Sequence, residues 1–112
     1  MDCYNHGIYP RDLPAKNGIS QDISVHPTTS DDEYLESLKS IEISVKTFQP
    51  QFILYNAGTD TLVNDPLGGL NLSKECHIKR DQFIIEMALK HKIPIIMVLS
   101  GGYQKSNAEV IA

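Results

Sequence analysis

FILYNAGTD (52–60) and PIIMVLSGGY (94–103) carry the decisive pattern twice: a short, bulky, continuously apolar run followed at once by small and glycine residues. Phe52-Ile53-Leu54-Tyr55 and Ile95-Ile96-Met97-Val98-Leu99 have the composition of strands covered on both faces in a parallel sheet. Pro94 stands at the head of the second run, a position a strand tolerates, and Ser100-Gly101-Gly102-Tyr103 ends it sharply.

Working outward, the segment before the first run predicts a helix over Asp31–Phe48. Ser30 and Glu33 form a capping box, and Asp31, Asp32 and Glu33 place negative charge at the helix N-terminus, where the peptide dipoles favour it. Tyr34, Leu38, Ile41, Val45 and Phe48 recur at steps of four and three and predict one apolar stripe; Pro50 ends the helix. Between the two strands a second helix is expected from about Ser73, with Ile78, Ile85 and Leu89 beside Ile84 and Ala88 as a broad apolar face and His91 and Lys92 at its basic end. Alternation of strand and helix implies parallel strands joined by right-handed crossovers, an α/β architecture.

The first thirty residues hold Pro10, Pro14, Gly18 and Pro27 without a sustained period and read as loop. A loop of that length in so short a chain points either to a substrate-facing segment or to residues that pack on something beyond this sequence. The last nine residues, QKSNAEVIA, read as the first turns of a helix in which the chain stops. Two strands are too few for a sheet covered on both faces, so neighbours on the edges are expected.

The 112 residues leave room for one domain, and 41% hydrophobic with 21% charged residues is the make-up of a folded chain. Ten basic against fourteen acidic residues, net −4, argue against a face built for nucleic-acid phosphates. No apolar run approaches the roughly 18 residues of a membrane span, and MDCYNHGIYPRD lacks the basic and apolar regions of a secretory leader. Cys3 and Cys76 are too few for a disulfide framework and sit in no Cys-His arrangement, so a reducing compartment and ordinary thiols are expected.

Ligands of open α/β sheets bind beyond the carboxyl ends of the strands, the end from which AGTDTLVNDPLGGLNLS (57–73) and SGGY (100–103) depart. Adjacent strands would bring Asp60 and Tyr103 to one rim. Asp60 can ligate a hard or borderline cation at about 2.0–2.2 Å, or it can cap a turn. Tyr103 can donate a hydrogen bond to an oxyanion, or simply cover the sheet end. Asp65, before Pro66, forms a turn or supports a metal ligand. Gly101 and Gly102 permit positive φ or close approach of a substrate. Neither GxGxxG nor GxxxxGK[ST] occurs, which disfavours dinucleotides and ATP, and no HExxH or histidine cluster completes a metal site.

YNAGTDTLVNDPLGGLNLS, IKRDQFI, IPIIMVLSGGYQKSNAEVIA and DCYNHGIYPRD together resemble the carboxyl-terminal part of the zinc-dependent histone deacetylase domain, most nearly its class IV branch. The resemblance implies an arginase/deacetylase-like α/β fold, with residues 1–112 as the carboxyl-side portion of that domain and its amino-terminal half absent. It implies that Asp60 matches an aspartate ligand of a catalytic Zn²⁺ and that Tyr103 matches the tyrosine that hydrogen-bonds the tetrahedral oxyanion. Gly101 and Gly102 match the glycines before that tyrosine, and Asp65 the loop beyond the metal ligand. Ser100 stands where many relatives carry another glycine.

The family's Asp-x-His zinc motif and its tandem histidines lie upstream of Met1, and the histidines present match neither. The resemblance thus implies a zinc-dependent lysine deacetylase or deacylase as a whole protein, and an inactive chain when alone. It implies acylated lysine in histones or other proteins as substrate, chromatin corepressors as partners, and residence in the nucleus or cytoplasm. A noncatalytic interaction module derived from a deacetylase domain is the alternative.

Overall fold

A computed structural model describes residues 1–8 and 11–111. Tyr9 and Pro10 of the IYP stretch, and the terminal Ala112, lie outside the described residues. The elements are β1 (Asp2–Asn5), α1 (Leu13–Lys16), β2 (Asp22–Val25), α2 (Asp31–Phe48), β3 (Ile53–Asn56), α3 (Lys74–Lys90), β4 (Ile95–Val98) and α4 (Ala108–Ile111).

The expected α/β class with parallel strands holds. β3 pairs with β4 in parallel from Ile53↔Ile95 to Asn56↔Val98, and α3 is the crossover between them. The leading segment is not all loop, contrary to the sequence expectation. β1 and β2 form a second parallel pair, Asp2↔Asp22 to Asn5↔Val25, and α1 lies between them. The strands are only four residues long, and β2 buries Ile23 and Val25 while exposing Asp22 and Ser24. So brief an alternation hardly stands out among the surrounding prolines and turn residues.

α2 has the predicted bounds. Ser30 Oγ accepts from Glu33 N at 3.3 Å, and the Glu33 carboxylate accepts from Ser30 N at 2.8 Å, completing the capping box. Gln49 closes the helix in a left-handed conformation before Pro50. Tyr34, Leu38 and Val45 are buried and Ile41 is half-buried, but Phe48 is 81% exposed, because the last turn runs out beside an open groove.

α3 begins after its N-cap Ser73, whose hydroxyl accepts from Cys76 N at 3.0 Å. The Asp31 carboxylate accepts both the Ser73 N–H, at 3.0 Å, and the Ser73 hydroxyl, tying together the first turns of α2 and α3. The predicted apolar face is half wrong. Ile84 and Ala88 face inward, but Ile78, Ile85 and Leu89 are exposed. The inward stripe is His77, Arg80, Ile84, Met87 and Ala88, steps of three and four, and each exposed apolar residue follows a buried one and so lies about 100° further round the helix.

Two apolar clusters hold these layers. Val25, Tyr34, Leu38, Leu70, Leu72 and Cys76 form one; Val45, Ile84 and Met87, with Ile53, Tyr55 and Ile95 against them, form the other. Ile41 and Phe83 touch both. The β3–β4 sheet is covered on one face only: Leu54 and Ile96 are exposed on the other, where the sequence predicted burial. Among the described residues the terminal helical turn runs over Ala108–Ile111 and does not include Gln104–Asn107, where the sequence suggested helix. No helix among the described residues is long and apolar enough to cross a membrane.

Candidate functional site

Parallel pairing carries the loops after β3 and β4 to the same rim. Ala57 N donates to Val98 O at 2.8 Å, extending the ladder one step past β3, and Ala57 is buried. Beyond it the loops are joined by polar groups. The Thr59 N–H and hydroxyl both point to Gly101 O, at 3.5 and 3.4 Å, and the Ser100 hydroxyl donates to Asn56 Oδ1.

Asp60 and Gly101, far apart in the chain, are in contact. Gly101 has φ +57°, and a Cβ there would stand 2.6 Å from Asp60 Oδ2; Gly102 has φ +113°, and a Cβ there would stand 2.2 Å from Thr59 Oγ1. Both positions therefore require glycine for backbone conformation and for space.

Of the two readings left open for Asp65, the structure shows the turn. Its Oδ1 accepts from Leu67 N and Gly68 N, each at 2.9 Å, which makes the turn. Its Oδ2 accepts from Tyr103 N at 2.8 Å, which fixes the backbone of the second loop against the first. The Tyr103 side chain itself is exposed. Asp60, Asp65, Gly101, Gly102 and Tyr103 are thus brought to one rim, as their positions after adjacent strands predicted.

The Asp60 carboxyl is pushed above the usual carboxylate range, first by burial and then by the negative charge of Asp65. Such a carboxylate favours a nearby cation. Yet among the described residues no three His, Cys, Asp or Glu side chains converge as a metal site. The chain's own residues therefore do not fit a complete zinc centre; they offer Asp60 as one donor.

Three residues that sequence reasoning passed over build this rim from behind. Arg80, on the inward stripe of α3, donates from Nη1 to Gly58 O at 2.7 Å and from Nε to Asp81 at 2.8 Å. His77 is buried; because Ser73 O can only accept, Nδ1 carries the proton and donates to it at 2.9 Å, leaving Nε2 to accept from the Thr61 hydroxyl at 2.8 Å. Asn5, at the end of β1, donates to Gly68 O at 3.0 Å. The available signal was the helical period itself, which puts His77 and Arg80 on the stripe of Ile84 and Met87. Burial pushes the Cys3 thiol up to about 11 and Cys76 up to about 12, which keeps both protonated and unreactive, as expected.

Residues 2–112 match the Histone deacetylase domain family. The chain belongs to that family. This histone deacetylase domain chain is 44% identical over 113 residues to Histone deacetylase 2 of Arabidopsis thaliana, covering 100% of this chain and 29% of that protein. It is 32% identical over 101 residues to Histone deacetylase 1 of Homo sapiens, covering 88% of this chain and 18% of that one. In structure it is similar to acetylpolyamine aminohydrolase from Burkholderia pseudomallei, with TM-score 0.69 and 18% identity over 94% of this chain and 32% of that chain. The last likeness shows the arginase/deacetylase fold. This histone deacetylase domain chain spans a third or less of the length of these relatives.

Proposed function

We propose that the chain is the carboxyl-side portion of a zinc-dependent lysine deacetylase or deacylase of the class IV branch, a hydrolase of acyl-lysine amides. The observation that supports this best is the contact between the Asp60 carboxylate and Gly101, which sets a candidate metal donor beside the loop that carries Tyr103. In this reading Asp60 is one protein ligand of the zinc held by the whole domain.

Amide hydrolysis adds water to the acyl carbon and breaks the C–N bond, leaving a carboxylate and the lysine amine. Negative charge develops on the acyl oxygen, and the Tyr103 hydroxyl donates a hydrogen bond to it. Asp65 holds the Tyr103 backbone, and the side-chain-free surface of Gly101 and Gly102 lets the acyl group approach. A base for the water is not supplied by His77, which is buried and occupied on both ring nitrogens. The chain alone is therefore inactive in this proposal. Substrates are acylated lysines of histones or other proteins, partners are chromatin corepressors, and the location is nuclear or cytoplasmic.

The test is a chimaera in which this chain replaces the matching segment of Arabidopsis Histone deacetylase 2. Acyl-lysine hydrolysis is expected from the chimaera and none from the chain alone. D60N and Y103F should each lower kcat/KM by about 10²-fold or more, the scale of losing an oxyanion donor or a metal ligand. A folded chimaera whose D60N and Y103F forms keep full turnover overturns the assignment. The alternative, a noncatalytic interaction module, draws its support from the open sheet face at Leu54 and Ile96.

A further inference from the structure

The loop around Asp60 is gripped on both sides of that residue. Two positions before it, Gly58 O accepts from Arg80 Nη1 at 2.7 Å; one position after it, the Thr61 hydroxyl donates to His77 Nε2 at 2.8 Å. Both grips come from α3, from side chains three residues apart and so on one face of the helix. The carboxylate between them takes its hydrogen bond from its own backbone N–H, and glycines enclose it. A Cβ at Gly58 would stand 3.3 Å from its Oδ1, and a Cβ at Gly68 would overlap the Asp60 carbonyl.

His77 is 1% exposed and shares its stripe with Ile84, Met87 and Ala88. An imidazole buried there costs free energy that an apolar side chain would not, unless both ring nitrogens are bonded. They are. Nδ1 donates to Ser73 O, and Ser73 is itself tied to the Asp31 carboxylate of α2. The ring therefore cannot turn without breaking that bond, and a continuous line Asp31, Ser73, His77, Thr61 runs from the start of α2 to the residue beside Asp60. With Gly58 pinned by Arg80 alone, the loop could still pivot at that point; a second grip beyond Asp60 removes the pivot. The main chain adds Val63 N to Leu72 O at 2.8 Å and Leu72 N to Thr61 O at 3.3 Å, so a loop held by these bonds would have no need of the imidazole.

We propose that His77 is a positioning residue: through the Thr61 hydroxyl it fixes the aim of the Asp60 carboxylate beside the Tyr103 loop without bonding that carboxylate itself. The inference rests on the reading of Asp60 and Tyr103 as parts of a deacylase site. His77 touches no substrate and acts through the loop, and a side chain carried on a helix holds such a position more precisely than one carried on a loop.

The test uses the whole-domain chimaera and the chain by itself. In the chimaera, H77L and T61V are each expected to lower kcat about tenfold with KM nearly unchanged, the scale on which supporting groups act. The double variant should be no slower than the slower single one, because both substitutions break the same link. H77Q keeps a donor for Ser73 and an acceptor for Thr61 and should recover most of the lost kcat. Urea midpoints are measured alongside; lower midpoints with kcat unchanged would make His77 merely structural and overturn the proposal. In the chain alone, NMR reads placement without turnover. H77L should shift the Asp60 Cγ and Gly101 amide resonances, while H77Q, which also lacks the ring, should leave them nearer their original positions. An inactive chimaera, or one whose D60N form keeps full turnover, overturns the deacylase reading, and the resonances then decide the placement: equal shifts in H77L and H77Q, or none, overturn it. A chimaera that needs Asp60 but turns over equally well as H77L and H77Q overturns the positioning role while the deacylase reading stands.

Discussion

The rim and the groove share Arg80 yet are opposites in how their polar groups are met. At the rim the chain closes on itself: Asp65 accepts three backbone N–H groups, Thr59 reaches Gly101, and Arg80 Nη1 has Gly58. Along the groove, Phe48, Phe52 and Leu54 are exposed and Arg80 Nη2 is unmatched. The difference separates what this stretch of chain satisfies by its own contacts from what it leaves open. The loops that carry Asp60 and Tyr103 belong to the first kind, tied to each other by Asp65 and Thr59.

The sharpest way to break the comparison is to remove Asp65. D65A strips three N–H groups of their acceptor, and the Gly68 group is buried, so a loss of about 2–3 kcal/mol is expected in urea unfolding. D65N keeps a carbonyl oxygen for the turn and should lose less. A D65A chain within about 0.5 kcal/mol of the unsubstituted one would mean that the loops hold together by other contacts.

What the sequence made legible follows the same division. The bounds of α2 could be read because the Ser30 capping box and Pro50 are local signals, and β3 and β4 because their apolar runs are dense and followed by glycine. The rim was legible as a consequence of parallel pairing, although the specific bond from Asp65 to Tyr103 was not, since a carboxylate reaching across two loops leaves no periodic trace. β1 and β2 leave little trace in the sequence because Asp2–Asn5 does not alternate, Asp22–Val25 alternates over only four residues, and their pairing is long-range. The inward face of α3 was misjudged because Ile78, Ile85 and Leu89 are as apolar as the residues that are buried. The buried stripe is the one on which Ile84 and Met87 join the core, His77 bonds Thr61 and Arg80 bonds Gly58.

A middle-sized effect comes from His77, the link between α3 and the Thr61 end of the rim loop. Burial, with the charge of Arg80 adding to it, lowers its pKa below the ordinary histidine value. The fold therefore binds fewer protons than the unfolded chain at this group, so its contribution is complete above about pH 6.5 and is lost as pH falls through the lower, folded value. The urea midpoint should drop between pH 7.5 and pH 5.5. H77Q, whose amide can serve the same two partners without titrating, should begin lower and show a smaller drop. Equal drops in both proteins would remove His77 as the cause.

The smallest effect is expected at an exposed residue of the groove, Leu54. Leu54 is 64% exposed and its side chain lies on the face of β3 opposite Ile53 and Tyr55, away from α3. L54S should leave the stability of the chain unchanged within about 0.5 kcal/mol, since an exposed leucine has little burial to lose. A loss above 1.5 kcal/mol, the scale of fully burying a leucine, would instead show that Leu54 already packs within the chain, and the distinction between a closed rim and an open groove would fail at one of its exposed residues.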